Sequence, residues 1–184
     1  MTDLAQLQRD VQYLMDRTAI LDCIARHARG CDRHDEELLA SAYHEDGLDE
    51  HGGTKNLGPA YAAFINASHA ATSQQHTHNI STHTCDIDGD VAHAESYVLV
   101  ALLATDGGNA TVMSGRYIDR LEKRDGQWRI AARRSTVDLA LHGSAALLQL
   151  PAFKAQGYPK GTRDRTDASY QRPLDLDTPP SATW

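Results

Sequence analysis

Three histidines, His76, His78 and His83, stand in the stretch SQQHTHNISTHTCDIDGD, whose alternation marks a β-strand. Imidazole changes charge near neutral pH, so a histidine facing a pocket is well suited to take a proton from a substrate. By the period of two, His76 and His78 share one face of the strand. The same pair could also hold a metal ion with His83, His51 or Asp49. With ten histidines in 184 residues an HxH pair arises easily by chance, and no metal is expected. His78 alone reads more often as a hydrogen-bonded structural histidine than as a base. Asp32, in the polar run GCDRHDE, reads as a solvated helix cap or as a carboxylate that orients a partner. Nothing beside Cys31 suggests a depressed thiol pKa, so it reads as a buried structural residue. The chain has no GxGxxG, no P-loop and no flavin signature, and no cofactor is expected.

Helices must come first. Leu4, Leu7, Val11 and Leu14 recur at helical spacing and predict a helix over about 3–15, after which Asp16 offers a cap for a second helix. The buried stripe of that second helix would be Ile20, Ile24, Ala28 and Cys31, ending at Gly30 and the cluster 32–35. Asp35 caps a further helix from Glu36 to Tyr43, followed by a short strand over 47–51. Gly58-Pro59 opens a helix over about 60–69 with Tyr61, Phe64 and Ile65 inward. The period then changes from 3.6 to 2. Strands over 76–87 and 91–104 meet at a tight Asp88-Gly89 turn, and strands over 110–123 and 127–139 meet at Asp125-Gly126. Helices followed by an antiparallel meander predict an α+β fold, the helices packed on a curved sheet that encloses a pocket. Residues 1–139 form the domain. Residues 140–184 form a Pro-, Asp- and Arg-rich extension that is partly ordered through Tyr158, Tyr170 and Leu174 and packs on the pocket or on a neighbouring subunit.

The net charge of −7 and the lack of a Lys/Arg block argue against nucleic acid or an anionic membrane as partner. No apolar run approaches the ~20 residues of a membrane span. The N-terminus lacks the regions of a signal peptide, and three cysteines without CxxC spacing suit reduced thiols, so a cytoplasmic location is expected.

The order of these pieces, a helix ending in GCDRHDEELLASAY, then YHEDGLDEHG, then HTHNIST with IDGD, and a closing GRYIDRLEKRDGQWRI, resembles the SnoaL-like branch of the NTF2-like superfamily over roughly residues 10–139. That resemblance implies a cone of the lindane dehydrochlorinase and scytalone dehydratase type. It further implies association as a dimer or trimer, and a small-molecule substrate. Against the dehydrochlorinase pattern, Asp32 falls on the catalytic acid, His78 on the catalytic base and Tyr117 on a pocket aromatic. His27 falls where that enzyme type carries a lysine and Asp138 where it carries an arginine, so both cationic helpers for a departing chloride are replaced. The resemblance therefore implies a cofactor-independent lyase, working by general-base elimination or retro-aldol cleavage on a small apolar, aromatic or cyclic substrate. Asp32 and His78 would be catalytic, and His27, Tyr43, His51, Tyr97, Arg116, Tyr117 and Asp138 would bind the substrate. The alternatives are a non-catalytic small-molecule-binding or assembly domain on the same fold, and an isomerase, dehydratase or polyketide cyclase.

Overall fold

The computed structural model describes residues 3–184. The first helix, α1 (Leu4–Arg33), is continuous, where the sequence predicts a break at residue 16. No Gly or Pro precedes Gly30 to interrupt it. Asp16 instead accepts from Lys123 Nζ and from Trp128 Nε1, each at 2.8 Å. The first half of α1 stands clear of the core, its Leu4, Leu7, Val11, Leu14 and Met15 exposed. Burial begins at Ile20 and continues through Cys23, Ile24, His27 and Cys31. The helix closes with His34 in the left-handed region at φ 48°. There the His34 amide donates to Cys31 O at 3.2 Å and the Asp35 amide to Gly30 O at 2.9 Å. This Schellman closure fixes the last turn, which carries Asp32. Gly30 is needed because a Cβ there would lie 2.6 Å from Leu39 N, where α2 (Glu36–Ala40) crosses.

Strand β1 (Tyr43–His51) begins earlier than the sequence suggests, and α2 ends at Ala40 rather than at Tyr43. The reason is a tertiary partner: the Ile130 amide donates to Ala42 O at 2.8 Å, and Tyr43 pairs with Ile130. A short β2 (Thr54–Leu57), absent from the sequence reading, returns antiparallel to β1. Helix α3 (Gly58–Thr72) buries Tyr61 and Ile65, but Phe64, expected inward, is about half exposed. Strands β3 (Ser73–Asp88), β4 (Val91–Ala104), β5 (Asn109–Arg124) and β6 (Gln127–Ser144) follow.

The sheet order is β2-β1-β6-β5-β4-β3, with β1 parallel to β6 and every other pair antiparallel. The β3–β4 loop is Gly89-Asp90, one residue later than expected, because the glycine takes the positive φ, +58°. The β5–β6 loop is Asp125-Gly126, both at positive φ (51° and 76°). α1, α2 and α3 cover the concave face, and Ile24, Leu39, Tyr43, Tyr61, Leu121 and Ile130 join there in one core. This is the α+β cone.

Beyond β6 the chain forms a 3-10 turn (Ala146–Gln149) and one helical turn (Pro151–Lys154). It then runs back across the ends of α1, α3 and β3. Arg163 donates to Ser73 O at 2.7 Å, and Tyr170 donates to Asp35 Oδ2 at 3.0 Å. Among the described residues no helix is long and apolar enough to cross a membrane.

Candidate active site

A cavity of about 450 Å3 opens inside the cone. Val98, Val100, Leu102 and Met113 give it an apolar wall, and His51, His69, His78 and Tyr117 stand on it. A second hollow of about 510 Å3 lies on the outer surface among Arg29, Asp35, Arg165 and Tyr170. Asp35 there is already paired with Arg165 at 3.0 Å, and the other carboxylate of the lining, Glu37, is exposed to solvent. The inner cavity is therefore the one whose lining suits chemistry.

Strand β3 presents His78 to this cavity, and the last turn of α1 places Asp32 behind it. Asp32 Oδ1 lies 2.6 Å from His78 Nδ1. The same carboxylate accepts from the His78 backbone amide, at 3.1 Å through Oδ1 and 2.9 Å through Oδ2. A carboxylate only accepts, so His78 carries its proton on Nδ1 and keeps the Nε2 lone pair for the cavity. Both side chains are largely shielded, at 5% and 13% exposure, in surroundings that strengthen the pairing.

His76 sits beside this pair and is closed on both nitrogens. Nε2 is 2.9 Å from Cys31 O and Nδ1 is 2.8 Å from Arg163 Nη2. Since Arg only donates, His76 accepts at Nδ1 and donates from Nε2. Burial, with His69 and Arg163 nearby, pushes His76 down to about 2, and burial with His78 nearby pushes His69 to about 3. Both are neutral at physiological pH. One ligand atom each from His34, His69 and His76, and likewise from Asp32, His76 and His78, lie within 4.8 Å of one another. In both groups the His76 nitrogens are already engaged.

Of the residues expected at the site, His51, His78 and Tyr117 line the cavity. His27 lies behind its wall, fully buried, stacked on Tyr61 at 6.1 Å and edge-on to Tyr117 at 5.5 Å. Burial lowers its pKa far below the usual value, so it is neutral and no substitute for a lysine. Tyr43 is also buried, 3.2 Å from His27 Nδ1, and donates to Asp49 Oδ2 at 2.5 Å. Tyr97, Arg116 and Asp138 lie outside the lining. Tyr97 is 45% exposed on the opposite side of β4 from Val98, and Arg116 grips Asp138 at 3.0 and 3.2 Å and Glu95 at 3.3 Å. Asp119, on the same strand as Arg116, is taken by Arg133 through two bonds of 2.7 Å with both side chains inaccessible. His83 binds Ser96 Oγ at 2.9 Å, past a register shift in β3 that separates it from the other histidines.

Two site features were missed. His69 follows Tyr61 and Ile65 at four-residue spacing, so its place on the inner face of α3 was readable from the helical period. Arg133 lies with its guanidinium 4.0 Å over the Tyr117 ring, and a lone arginine in a strand gives no sign that it is buried.

Comparison with known proteins agrees with this architecture. Residues 12–134 match the model of the SnoaL-like domain, and the chain belongs to that family, within the NTF2-like superfamily. Among solved structures it is similar to Rv3472, a protein of unknown function from Mycobacterium tuberculosis. The two are 33% identical over 68% of this chain and 77% of that one, with a TM-score of 0.61. It is similar in fold to the hexachlorocyclohexane dehydrochlorinase LinA-type3 from Novosphingobium barchaimii, at 21% identity, 73% and 94% coverage and a TM-score of 0.68. An NTF2-like protein from Novosphingobium aromaticivorans matches at 26% identity, 75% and 92% coverage and 0.64. No curated protein matches the chain.

Proposed function

We propose that the protein is a cofactor-independent lyase in which His78 removes a proton from a small, largely apolar aromatic or cyclic substrate and a β leaving group or C–C bond then departs. The observation that carries this reading is the short Asp32–His78 contact at a cavity wall, 2.6 Å. Asp32 sets the ring's tautomer and stabilises the imidazolium as the proton arrives. The apolar walls keep the reacting region poor in water and leave room for a compact ring system. Tyr117 and His51 contact the substrate from the wall. The exposed apolar stripe of α1, Leu7, Val11 and Leu14, supports assembly as a homo-oligomer, which the mass in solution tests directly.

The experiment is a screen of hydroxylated aromatic and alicyclic compounds against the protein and its His78→Ala variant. Loss of the imidazole lowers turnover by about 10²–10⁴-fold if it is the base. A folded His78→Ala protein with unchanged turnover refutes the assignment. Tight binding of such compounds without any turnover favours the non-catalytic binding domain.

A further inference from the structure

The cavity wall carries a second imidazole that the Asp32–His78 pair does not use. His51 ends β1 and lines the cavity beside Gly52. Its Nδ1 lies 3.1 Å from Tyr61 Oη and 3.8 Å from Asp49 Oδ1. Asp49 is completely inaccessible. Its Oδ2 accepts from Tyr43, but its Oδ1 has no hydrogen-bond partner. A buried carboxylate oxygen left unanswered is costly. Here it faces a histidine at the edge of a cavity. Burial raises the Asp49 carboxyl to about 6 and, with Arg133 and His78 nearby, lowers the His51 imidazole below its usual value, so the two stand close enough to share one proton on mild acidification. Because Nδ1 is turned toward Tyr61 and Asp49, Nε2 is the nitrogen left for a ligand.

We infer that His51 is a second catalytic residue, donating a proton from Nε2 to a departing oxygen, and that the substrate therefore eliminates water or another oxygen leaving group rather than a halide. This rests on the reading of His78 as the base. Halide departs as a stable anion and needs no proton, whereas hydroxide and alkoxide leave well only when protonated. The step balances within the site. The C–H proton passes to His78 Nε2, its electron pair forms the C=C bond, and the C–O bond breaks. The oxygen takes the single proton held by the His51–Asp49 pair, leaving neutral imidazole and carboxylate. Exchange with solvent moves the proton from His78 back to that pair.

The test uses two probes on one ring, a β-hydroxy indanone and its β-chloro counterpart, with indenone formation followed by absorbance. Wild type, His51→Gln and His78→Ala are compared, all shown to be folded by their melting temperatures. His51→Gln is expected to slow elimination of water by about 10²-fold or more, and to slow elimination of chloride at least about tenfold less than that. His78→Ala should slow both. Equal effects of His51→Gln on the two probes, or no effect on either, overturn the inference. Wild type that eliminates only chloride overturns the oxygen-substrate class and leaves His78 standing as base. Wild type that eliminates neither probe overturns both readings.

Discussion

Asp32 holds His78 at two points, ring and backbone: 2.6 Å to Nδ1, and 2.9 and 3.1 Å to the amide nitrogen. The amide bonds fix the carboxylate against β3, and the ring bond then fixes the imidazole against the carboxylate. An amide side chain can reproduce the first function but not the negative charge of the second. Asp32→Asn should therefore fold with a melting temperature within a few degrees of wild type, yet lose about 10²–10⁴-fold in turnover. Asp32→Ala should lose the activity and also about 1–3 kcal/mol of stability, because the shielded His78 amide then has no acceptor. Urea titrations of the three proteins separate the two functions. Equal activity in wild type and Asp32→Asn would show that the charge is not used.

How much of this was legible in the sequence follows from how local each signal is. The β3–β4 and β5–β6 hairpins announce themselves through alternation and Gly-containing loops, and the structure moves the first turn by only one residue. The parallel β1–β6 pairing carries no local signal. It joins strands separated by four others in the chain, so the local pattern predicts too short a β1 and assigns Tyr43 to a helix. The continuity of α1 was hidden by Asp16, a good cap in isolation, whose partners lie more than a hundred residues away. Asp32 and His78 are 46 positions apart, and neither residue points to the other. Only the family resemblance set them side by side. Arg116 and Asp138 fall two positions apart across the β5–β6 ladder, a pairing that requires the register to be known.

The Asp16 carboxylate supports a second prediction. One of its oxygens accepts from both Lys123 and Trp128, and the Trp128 ring is almost fully buried. Asp16→Ala leaves the indole N–H without an acceptor and should cost about 1–3 kcal/mol. Asp16→Asn retains an acceptor and should cost less than half as much. Urea denaturation followed by tryptophan fluorescence measures both, and a stable alanine variant would mean that water replaces the carboxylate freely.

Stability should fall on mild acidification. His69 and His76 are held at about 3 and about 2 in the folded protein, below the ordinary imidazole value of about 6.5. Unfolded chains bind those protons first, so the stability these two contribute is full above pH 6.5 and drains away as pH falls. Asp49 acts oppositely. Its folded value of about 6 lies above the ordinary carboxyl range, so its burial penalty is greatest above pH 6 and is relieved on acidification. Burial lowers His27, His34, His51 and His83 as well, so the groups that lose outnumber Asp49 and the net change between pH 6 and pH 4 is a loss of stability. In His69→Gln one of the losing groups is gone, so less stability drains away with each pH unit. Its melting temperature should therefore fall less steeply over that range than that of wild type, and parallel declines would refute this account.

The C-terminal extension makes the last prediction, through Arg163. Its guanidinium donates to Ser73 O at 2.7 Å, Ser73 Oγ at 2.6 Å and His76 Nδ1 at 2.8 Å, and so ties the extension to the start of β3. His76 in turn donates to Cys31 O, the carbonyl next to Asp32 in sequence. Removing the arginine leaves two buried acceptors without partners, and Arg163→Ala should cost about 2 kcal/mol or more. Lysine keeps the charge but cannot present a planar fork to several acceptors, so Arg163→Lys should recover only part of the loss. Truncation after Gly157 should be at least as destabilising as Arg163→Ala, since it also removes the Tyr170–Asp35 and Arg33–Asp167 contacts. Because the strain of losing this clamp falls on the turn that positions Asp32, turnover should drop with stability in all three proteins. Calorimetry alongside the activity assay decides the matter: a truncated chain that melts and turns over like the full one would mean that the extension lies on the surface without securing the site.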